Sequence, residues 1–200
     1  GVRAGVLPWH GRGLGAVRMT LWLVRHAQPL VAPGVCYGAL DVLADADATA
    51  QAARALAGVL PPNLFVQVSP LQRCEQLAQC LRGLRPDLAF KIDLRLQEMD
   101  FGVWEGVAWG EIPSASMEAW TADFGNHRFG GAESANDVLQ RVAQVWDAFR
   151  AAGQPAVWIT HAGVIRAVNL IAQNQRAVMN AEDWPREAPA FGAWQTLALD

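Results

Sequence analysis

Four side chains that could bind or attack an anion lie just after three short apolar runs of the sequence. These side chains are Arg25, His26, Arg73 and His161, and the runs span residues 19–24, 64–68 and 156–159. Near-continuous apolar runs of this length are typical of buried strands in a parallel sheet. Ligands of open α/β sheets bind outside the carboxyl ends of the strands, so the four groups should converge if the strands are neighbours. Such a cluster favours an anion, and phosphate is the commonest biological candidate.

The Arg25-His26 pair suggests covalent catalysis. A neutral imidazole that is held through one ring nitrogen leaves the other nitrogen free as a nucleophile, and histidine can form covalent intermediates. The neighbouring arginines should lower the pKa of His26 and keep it unprotonated near neutral pH. The alternative is a structural histidine that holds a backbone carbonyl.

Arg73 and His161 carry groups that suit phosphate oxygens. The planar guanidinium of Arg73 can donate to two phosphate oxygens at once. His161 lies where a predicted strand passes into a helix, and the free amides and dipole of a helix N-terminus favour an anion. Taken singly, Arg73 could be a surface residue and His161 a core histidine. Their equivalent positions after predicted strands favour a shared site instead.

A proton donor for a leaving group is expected in the acid-rich stretch 94–106. The leaving oxygen of a phosphate monoester needs a proton, which a carboxylic acid in a partly dry site can supply. We favour Glu98 because it lies nearest the end of the third predicted strand, and Asp100 and Glu105 remain candidates. The two histidines lack the spacing of zinc ligands, and adjacent arginines would repel a cation. We therefore expect no metal and no other cofactor.

The composition predicts one folded domain. The 200 residues are 52% hydrophobic and 18% charged, which is enough to build a core. A net charge of −3 without a basic stripe argues against nucleic acid as a partner. No apolar stretch has the length of a membrane span, so no membrane partner is expected. Nothing in the sequence determines whether the chain forms a homodimer.

The three cysteines, Cys36, Cys74 and Cys80, fit no metal or redox spacing and suggest free thiols in a reducing cytoplasm. Residues 1–18 are rich in Gly and Arg and lack the apolar core of a secretory signal. We expect them to be a loosely ordered extension, with the natural start near Met19.

Strand and helix patterns alternate from residue 19 onwards. Predicted strands cover about 19–25, 64–68, 88–93, 156–160 and 193–199. Predicted helices cover about 47–60, 70–81 and 162–174, and a further helix is predicted to start at Ser134. Asp47 is the expected cap of the first helix, and Ser134 forms a capping-box-like pair with Asp137. Residues 95–133 show no strand pattern, and a loop-rich insertion of this length usually covers a site. No linker divides 19–200 into two domains.

These residues resemble the motifs of the histidine phosphatase superfamily, also called the phosphoglycerate mutase-like family. Arg25-His26 resembles its Arg-His-Gly signature, 69–73 resembles its segment with the second arginine, and 160–163 resembles its second histidine motif. Glu98 falls where the proton donor of the family falls. The resemblance covers about 19–200, with the motifs in family order.

The resemblance implies an α/β fold, namely a three-layer α/β/α sandwich whose mostly parallel central sheet is flanked by helices. It also implies a phosphoric monoester hydrolase in which His26 is phosphorylated. Arg25, Arg73 and His161 would then bind phosphate, and Glu98 would act first as the acid and then as the base for water.

Three further stretches, 28–41, 98–106 and 130–134, look most like the α-ribazole phosphatase branch of cobalamin assembly. They imply α-ribazole 5′-phosphate as the substrate and Gln28, Tyr37 and Trp104 as possible substrate-pocket residues. Related small-molecule phosphatases share these patterns. A broad-specificity phosphatase and a phosphoglycerate mutase-like enzyme are therefore the alternatives.

Three positions depart from the family pattern. Ala27 replaces the glycine that follows the nucleophile, while Pro29 and Ala32 replace polar residues of the mutases. The lost polar contacts argue against a mutase and for a phosphatase that admits water. Ala27 and Pro29 also motivate a hypothesis of another class, a pseudoenzyme that binds a phosphate ligand with little turnover. A protein phosphohistidine phosphatase is a third hypothesis, against which the tryptophan-rich insertion argues.

Overall fold

A five-stranded sheet forms the centre of residues 19–200, the part of the chain that the computed structural model describes. Its strands are β1 (Met19–Arg25), β2 (Phe65–Val68), β3 (Ala89–Ile92), β4 (Ala156–Thr160) and β5 (Trp194–Leu199). They lie in the order β3-β2-β4-β1-β5, and only β5 runs antiparallel to its neighbour. The predicted extension 1–18 lies outside the described residues.

Helices cover both faces of this sheet. The helices are α1 (Ala46–Ala57), α2 (Gln72–Leu84), α3 (Ser114–Ala122), α4 (Ala135–Ala152) and α5 (Ala162–Ala172). The first two pack together over one face, whereas α4 and α5 pack together over the other. The three-layer α/β/α sandwich with a mostly parallel sheet is therefore confirmed.

The side chains of the central strands alternate between two separate cores. Leu23 of β1 and Trp158 of β4 belong to the core beneath α4 and α5. Their neighbours Val24 and Ile159 belong to the core beneath α1 and α2. This alternation follows from the period of two in a strand, and burial of both faces explains why the strands are apolar throughout.

The carboxyl ends of β1, β2 and β4 lie side by side, as predicted. Arg25 pairs with Thr160 in the register of β1 and β4, and Val68 pairs with Ile159 in that of β2 and β4. The residue after each strand is therefore brought to the same edge. These residues are His26, Ser69 and His161.

The helix starts show where local sequence was a sufficient guide. Ser134 caps α4 in a capping box with Asp137, as predicted. The helix α1 forms as predicted, but the prediction of Asp47 as its cap was wrong. Asp45 is the cap, and its side chain accepts a hydrogen bond from the Ala48 N–H at 2.8 Å. Asp47 lies in the first turn instead, where its charge still favours the helix dipole.

The start of α2 depends on a residue far away in the sequence. The helix begins at Gln72 rather than Pro70, and its own N-cap residue makes no side-chain hydrogen bond. The Asp41 carboxylate instead accepts a hydrogen bond from the Gln72 N–H at 2.7 Å. A cap supplied by another loop leaves no signal in the local sequence.

Residues 95–133 form short 3₁₀ turns and α3. The aromatic rings of this insertion gather around Phe129, which is fully buried. Among residues 19–200, no helix combines the length and apolar character needed to cross a membrane.

Candidate active site

His26 is held as a neutral imidazole through its Nδ1. It is only 2% exposed, and its Nδ1 lies 2.8 Å from the carbonyl oxygen of Ala27, to which it donates a hydrogen bond in the tautomer that we assign. Its Nε2 accepts a long hydrogen bond of 3.4 Å from Nε of Arg73. Burial, aided by the charges of Arg73 and Arg25, lowers the pKa of His26 to about 3. The lone pair of Nε2 is therefore available as a nucleophile at neutral pH.

His161 is fully buried beside His26, and the two ring centroids are 5.2 Å apart. Its Nε2 lies 2.7 Å from the hydroxyl of Ser69, and that hydroxyl also accepts from the Leu71 N–H at 3.3 Å. We assign the Ser69 hydroxyl as the donor to Nε2, which leaves the proton of His161 on Nδ1. Burial and then the charge of Arg73 hold the pKa of His161 well below 6.5. Its Nδ1 has no hydrogen-bond partner among residues 19–200, so it can donate to an oxygen of a ligand.

Arg73 brings a fully buried positive charge next to His26. Its guanidinium donates to the carbonyl oxygens of Leu40 at 2.8 Å and Gly38 at 2.6 Å. The ring of Tyr37 lies 5.4 Å from the guanidinium carbon, and burial raises the pKa of the Tyr37 hydroxyl. These contacts fix the plane of the guanidinium at the sheet edge.

Glu105 fixes the loop that holds Arg73. Its carboxylate accepts hydrogen bonds from the backbone N–H groups of Gly38, Ala39, Leu40 and Phe101, at 2.8–3.1 Å. The Gly38–Ala39 peptide unit therefore joins the two charges, because its carbonyl faces Arg73 and its N–H faces Glu105. A Cβ on Gly38 would collide with the carbonyl oxygen of Met99, so only glycine fits there. Glu105, one of our candidate acids, is thus a positioning residue.

Arg25, which also lies next to His26, keeps one donor without a partner in the described part of the chain. Its guanidinium packs over the ring of Phe191 at 4.0 Å and donates to the carbonyl oxygen of Pro189 at 3.0 Å. Its Nε is buried without a hydrogen-bond partner among the described residues. Arg25 can therefore donate to an anion beside His26.

Glu98 lies against the N-terminus of α5. Its Oε2 accepts from the Gly163 N–H at 3.1 Å, and its Oε1 accepts from the Met99 N–H at 3.0 Å. The missing side chain at Gly163 leaves room for this carboxylate, because a Cβ there would displace it. The other candidate acid, Asp100, instead accepts from the Gly102 N–H at 2.8 Å.

A cavity of about 200 Å³ connects these groups and is named here the phosphate cavity. Its lining includes Arg25, His26, Tyr37, Arg73, Glu98, Phe101, Trp109, Ala162 and Arg166. His161 is buried beside it, next to His26. The structure thus brings the five residues from our motif analysis, and Tyr37, to one place.

Two of our possible pocket residues lie elsewhere. Gln28 is exposed, and its carbonyl oxygen accepts from the Asp45 N–H, which ties that segment to the start of α1 rather than to the cavity. Trp104 is directed to Phe129, with ring centroids 6.1 Å apart. A turn at Gly102 and a bond from the Val103 N–H to the Gly130 carbonyl hold it there. Neither residue lines the phosphate cavity, so both assignments were wrong.

Two lining residues escaped our sequence analysis. Arg166 lies four residues after Ala162, so both project from the same side of α5 at its first turns. That spacing was a usable signal. Trp109 comes from a 3₁₀ turn in the insertion, where no periodicity marks the inward side.

Comparison with known proteins agrees with this geometry. The family model of the histidine phosphatase superfamily (branch 1) matches residues 21–182. The protein TTHB049 from Thermus thermophilus is 30% identical, with a TM-score of 0.65 over 90% of this chain and 93% of that chain. A mycobacterial glucosyl-3-phosphoglycerate phosphatase complexed with inorganic phosphate is 24% identical, with a TM-score of 0.73 over 90% and 89%. A search of the curated proteins gives no match.

The fold and the matched family together define a phosphoric monoester hydrolase of the α/β class. The chain belongs to the histidine phosphatase superfamily (branch 1).

The buried histidines should make stability depend on pH. Their folded-state pKa lies below the unfolded value of about 6.5, so the unfolded chain binds more protons below that pH. The free energy of unfolding should be fully developed above about pH 6.5 and fall towards about pH 5, by up to ~1.4 kcal/mol per pH unit for each histidine. The salt-bridged aspartates, whose pKa values are lowered, stay ionised in both states over this range.

Urea denaturation across this pH range measures the effect. His161→Gln should flatten the dependence, whereas the matched control His127→Gln, outside the phosphate cavity, should keep it. A wild-type free energy of unfolding that stays constant down to about pH 5 would contradict a neutral buried pair.

Glu105→Gln should destabilise the protein and weaken phosphate binding together. The side-chain amide of the new glutamine would place its NH₂ group against backbone N–H donors. The loss of hydrogen bonds to a charged acceptor should lower the free energy of unfolding by about 2 kcal/mol or more. The free energy of unfolding and the inhibition constant of inorganic phosphate measure the two effects. Glu111→Gln, at an exposed acid of the same insertion, is the control. Destabilisation with unaltered phosphate inhibition would mean that Glu105 does not position Arg73.

Proposed function

We propose that this protein hydrolyses small phosphate monoesters through a phosphohistidine at His26, without a metal. The observation that carries the proposal is a neutral His26 whose Nε2 makes only a long hydrogen bond to Arg73, in a cavity that Arg25 also lines and next to the Nδ1 of His161, which is unpaired within residues 19–200. Positive charge from Arg25 and Arg73 can neutralise the phosphoryl oxygens, which is the role that a metal has in other phosphatases.

In the first step, Nε2 of His26 attacks phosphorus while the bond to the leaving oxygen breaks. Arg25, Arg73 and the Nδ1–H of His161 stabilise the equatorial oxygens, where charge is spread in the transition state. Glu98 in its protonated form donates its proton to the leaving oxygen. The products are an alcohol and a phosphorylated His26.

In the second step, water attacks the phosphohistidine and restores the enzyme. Glu98, now a carboxylate, accepts a proton from the attacking water, so the acid of the first step is the base of the second. The nitrogen–phosphorus bond breaks and inorganic phosphate leaves. Both steps use the same groups, and the balance of protons is restored at the end of each turnover.

We further propose a small phosphorylated metabolite as the substrate, with α-ribazole 5′-phosphate as the leading candidate. The support is the similarity of the stretches 28–41, 98–106 and 130–134 to the α-ribazole phosphatase branch. A broad-specificity phosphatase is the second candidate, and glucosyl-3-phosphoglycerate, named for the mycobacterial neighbour, belongs in the same screen. Release of inorganic phosphate from a panel of phosphorylated metabolites tests this choice.

A catalytically weak phosphate-binding protein remains the alternative of another class. Its motivation was Ala27 and Pro29. Ala27 is buried without a positive φ, so the backbone accepts its Cβ without strain. Ligand-induced stabilisation without phosphate release would favour this alternative over the phosphatase.

We also propose a cytoplasmic location. The described cysteines are free, and those at positions 36 and 74 are buried with a pKa that burial raises to about 12. Unreactive structural thiols of this kind suit a reducing compartment.

Incubation with a phosphoryl donor in EDTA should label one histidine in an acid-labile form, because the phosphorus is bound to nitrogen. His26→Ala should lose the label and nearly all turnover. Mass spectrometry of the intact protein and phosphate release measure the two results. Full turnover in His26→Ala would exclude the mechanism.

Glu98→Gln should lower kcat/KM, which reports the first step, by about 10²–10⁴-fold for alkyl phosphates, whose leaving oxygen needs a proton. An activated aryl phosphate, whose leaving group departs without a proton, should lose much less. The ratio of kcat/KM for the two ester types measures this difference. An equal loss for both would assign the proton donor to another group.

A further inference from the structure

A second cavity of about 270 Å³ adjoins the phosphate cavity and is named here the aromatic cavity. Four residues line both, namely Glu98, Phe101, Trp109 and Arg166. Small-molecule sites commonly have volumes of about 300–1,000 Å³, which neither cavity reaches alone and both reach together. The shared wall therefore defines one site with two compartments.

The wall of the aromatic cavity beyond the shared residues is mainly apolar and rich in rings. Trp120 and Phe124 are stacked, with ring centroids 5.5 Å apart and planes at 21°. Trp184 meets Phe124 edge-on at 6.1 Å and 63°. Rings at these mutual angles can contact one flat ring by its face and by its edge, the two arrangements that aromatic pairs prefer.

Two side chains that line the aromatic cavity carry a hydrogen-bond donor without a partner in the described part of the chain. Trp120 Nε1 and Arg166 Nε are both buried without a hydrogen-bond partner among residues 19–200. The hydrogen bond that Arg166 does make runs from its Nη2 to the carbonyl oxygen of Arg186, at 3.2 Å. Buried donors are normally satisfied, so a ligand here should carry an acceptor atom.

Glu98 lies between the two compartments, since it lines both. In the proposed reaction its proton goes to the leaving oxygen, so that oxygen must lie near Glu98 when the phosphoryl group is at His26. The rest of the leaving group then extends into the aromatic cavity. A polyhydroxylated or anionic leaving group would lose its hydration against this apolar wall.

We propose that the aromatic cavity binds the leaving group of the substrate, and that this group carries a flat, uncharged aromatic or heteroaromatic ring with a hydrogen-bond acceptor. This inference rests on the phosphatase function proposed above and narrows its substrate class. Trp184 and Phe124 are specificity-determining residues in this scheme, because they line the aromatic cavity alone.

The test compares esters of primary alcohols, whose leaving oxygens have similar reactivity. The probes are naphthalen-2-ylmethyl phosphate, quinolin-3-ylmethyl phosphate, butyl phosphate and 3-phosphoglycerate. The wild-type kcat/KM for the naphthyl ester should exceed that for the butyl ester by about tenfold or more, through ring contacts and apolar burial. The quinolyl ester, which adds one acceptor nitrogen, should have a lower KM than the naphthyl ester.

Trp184→Ala should reduce the preference for the naphthyl over the butyl ester by about tenfold, mainly through KM. Phe124→Leu, which removes a ring but keeps apolar volume, should act in the same direction and guards against misfolding of the first variant. Trp104→Ala is the matched control, because it also removes a tryptophan, but one that lies outside both cavities. Thermal melting verifies that each variant is folded.

Three outcomes would overturn this inference. The naphthyl and butyl esters could have equal kcat/KM, the enzyme could prefer 3-phosphoglycerate, or the preference for the naphthyl ester could be lost in Trp104→Ala alone. A quinolyl ester no better than the naphthyl ester would overturn the part that concerns the acceptor. These failures are distinct from failure of the proposed function. In that case no ester would be hydrolysed and His26 would not be labelled.

Discussion

Burying a guanidinium raises the free energy of the folded state unless hydrogen bonds replace those to water. The guanidinium of Arg73 is fully buried, so the site depends on the hydrogen bonds that this group makes. The Gly38–Ala39 peptide unit links the guanidinium to the Glu105 carboxylate. It accepts a hydrogen bond from the arginine and donates one to the carboxylate. The same loop supplies Asp41, which caps α2, the helix that carries Arg73. One loop therefore sets both the position of the helix and the plane of the guanidinium.

The buried charge in turn determines the chemistry of its neighbours. Together with burial, it keeps His26 and His161 neutral, so one imidazole has a lone pair to attack with and the other has a proton to donate. The remaining donors, on Arg25 and His161, have no protein partner among residues 19–200. Preorganised donors around a neutral nucleophile suit the transfer of a phosphoryl group, because no reorganisation is needed when charge develops on its oxygens.

The division into two compartments follows from the same arrangement. The sheet edge supplies most of the polar compartment, whereas the insertion at 95–133, the start of α4 and Trp184 supply the apolar wall of the other. Glu98 stands at their border and is held there by the N-terminus of α5 and by the absence of a side chain at Gly163. In the proposed scheme, residues at the sheet edge carry out the reaction, whereas residues of the aromatic cavity determine which leaving group is accepted.

Local sequence was a good guide where a regular period or a helix cap carried the information. The central strands and the capping box at Ser134 agree with the structure because each depends on residues close together in the chain. It was a poor guide where the determinant was distant. The cap of α2 comes from Asp41, and Trp104 lies against Phe129 because of a backbone contact between the turn at Gly102 and Gly130.

The sequence by itself determined the strands and the order of the motifs, and it placed Arg25, His26, Arg73 and His161 after carboxyl ends that share one edge of a parallel sheet. The strand order, which makes β1, β2 and β4 neighbours, came from the tertiary structure. Only the tertiary structure decided the roles of the acids and the tryptophans. Glu98 and Glu105 are the same residue type, seven positions apart in one stretch, yet one lines the cavity and the other binds a loop. The direction of an irregular segment depends on long-range backbone hydrogen bonds, and these leave no periodic trace in the sequence.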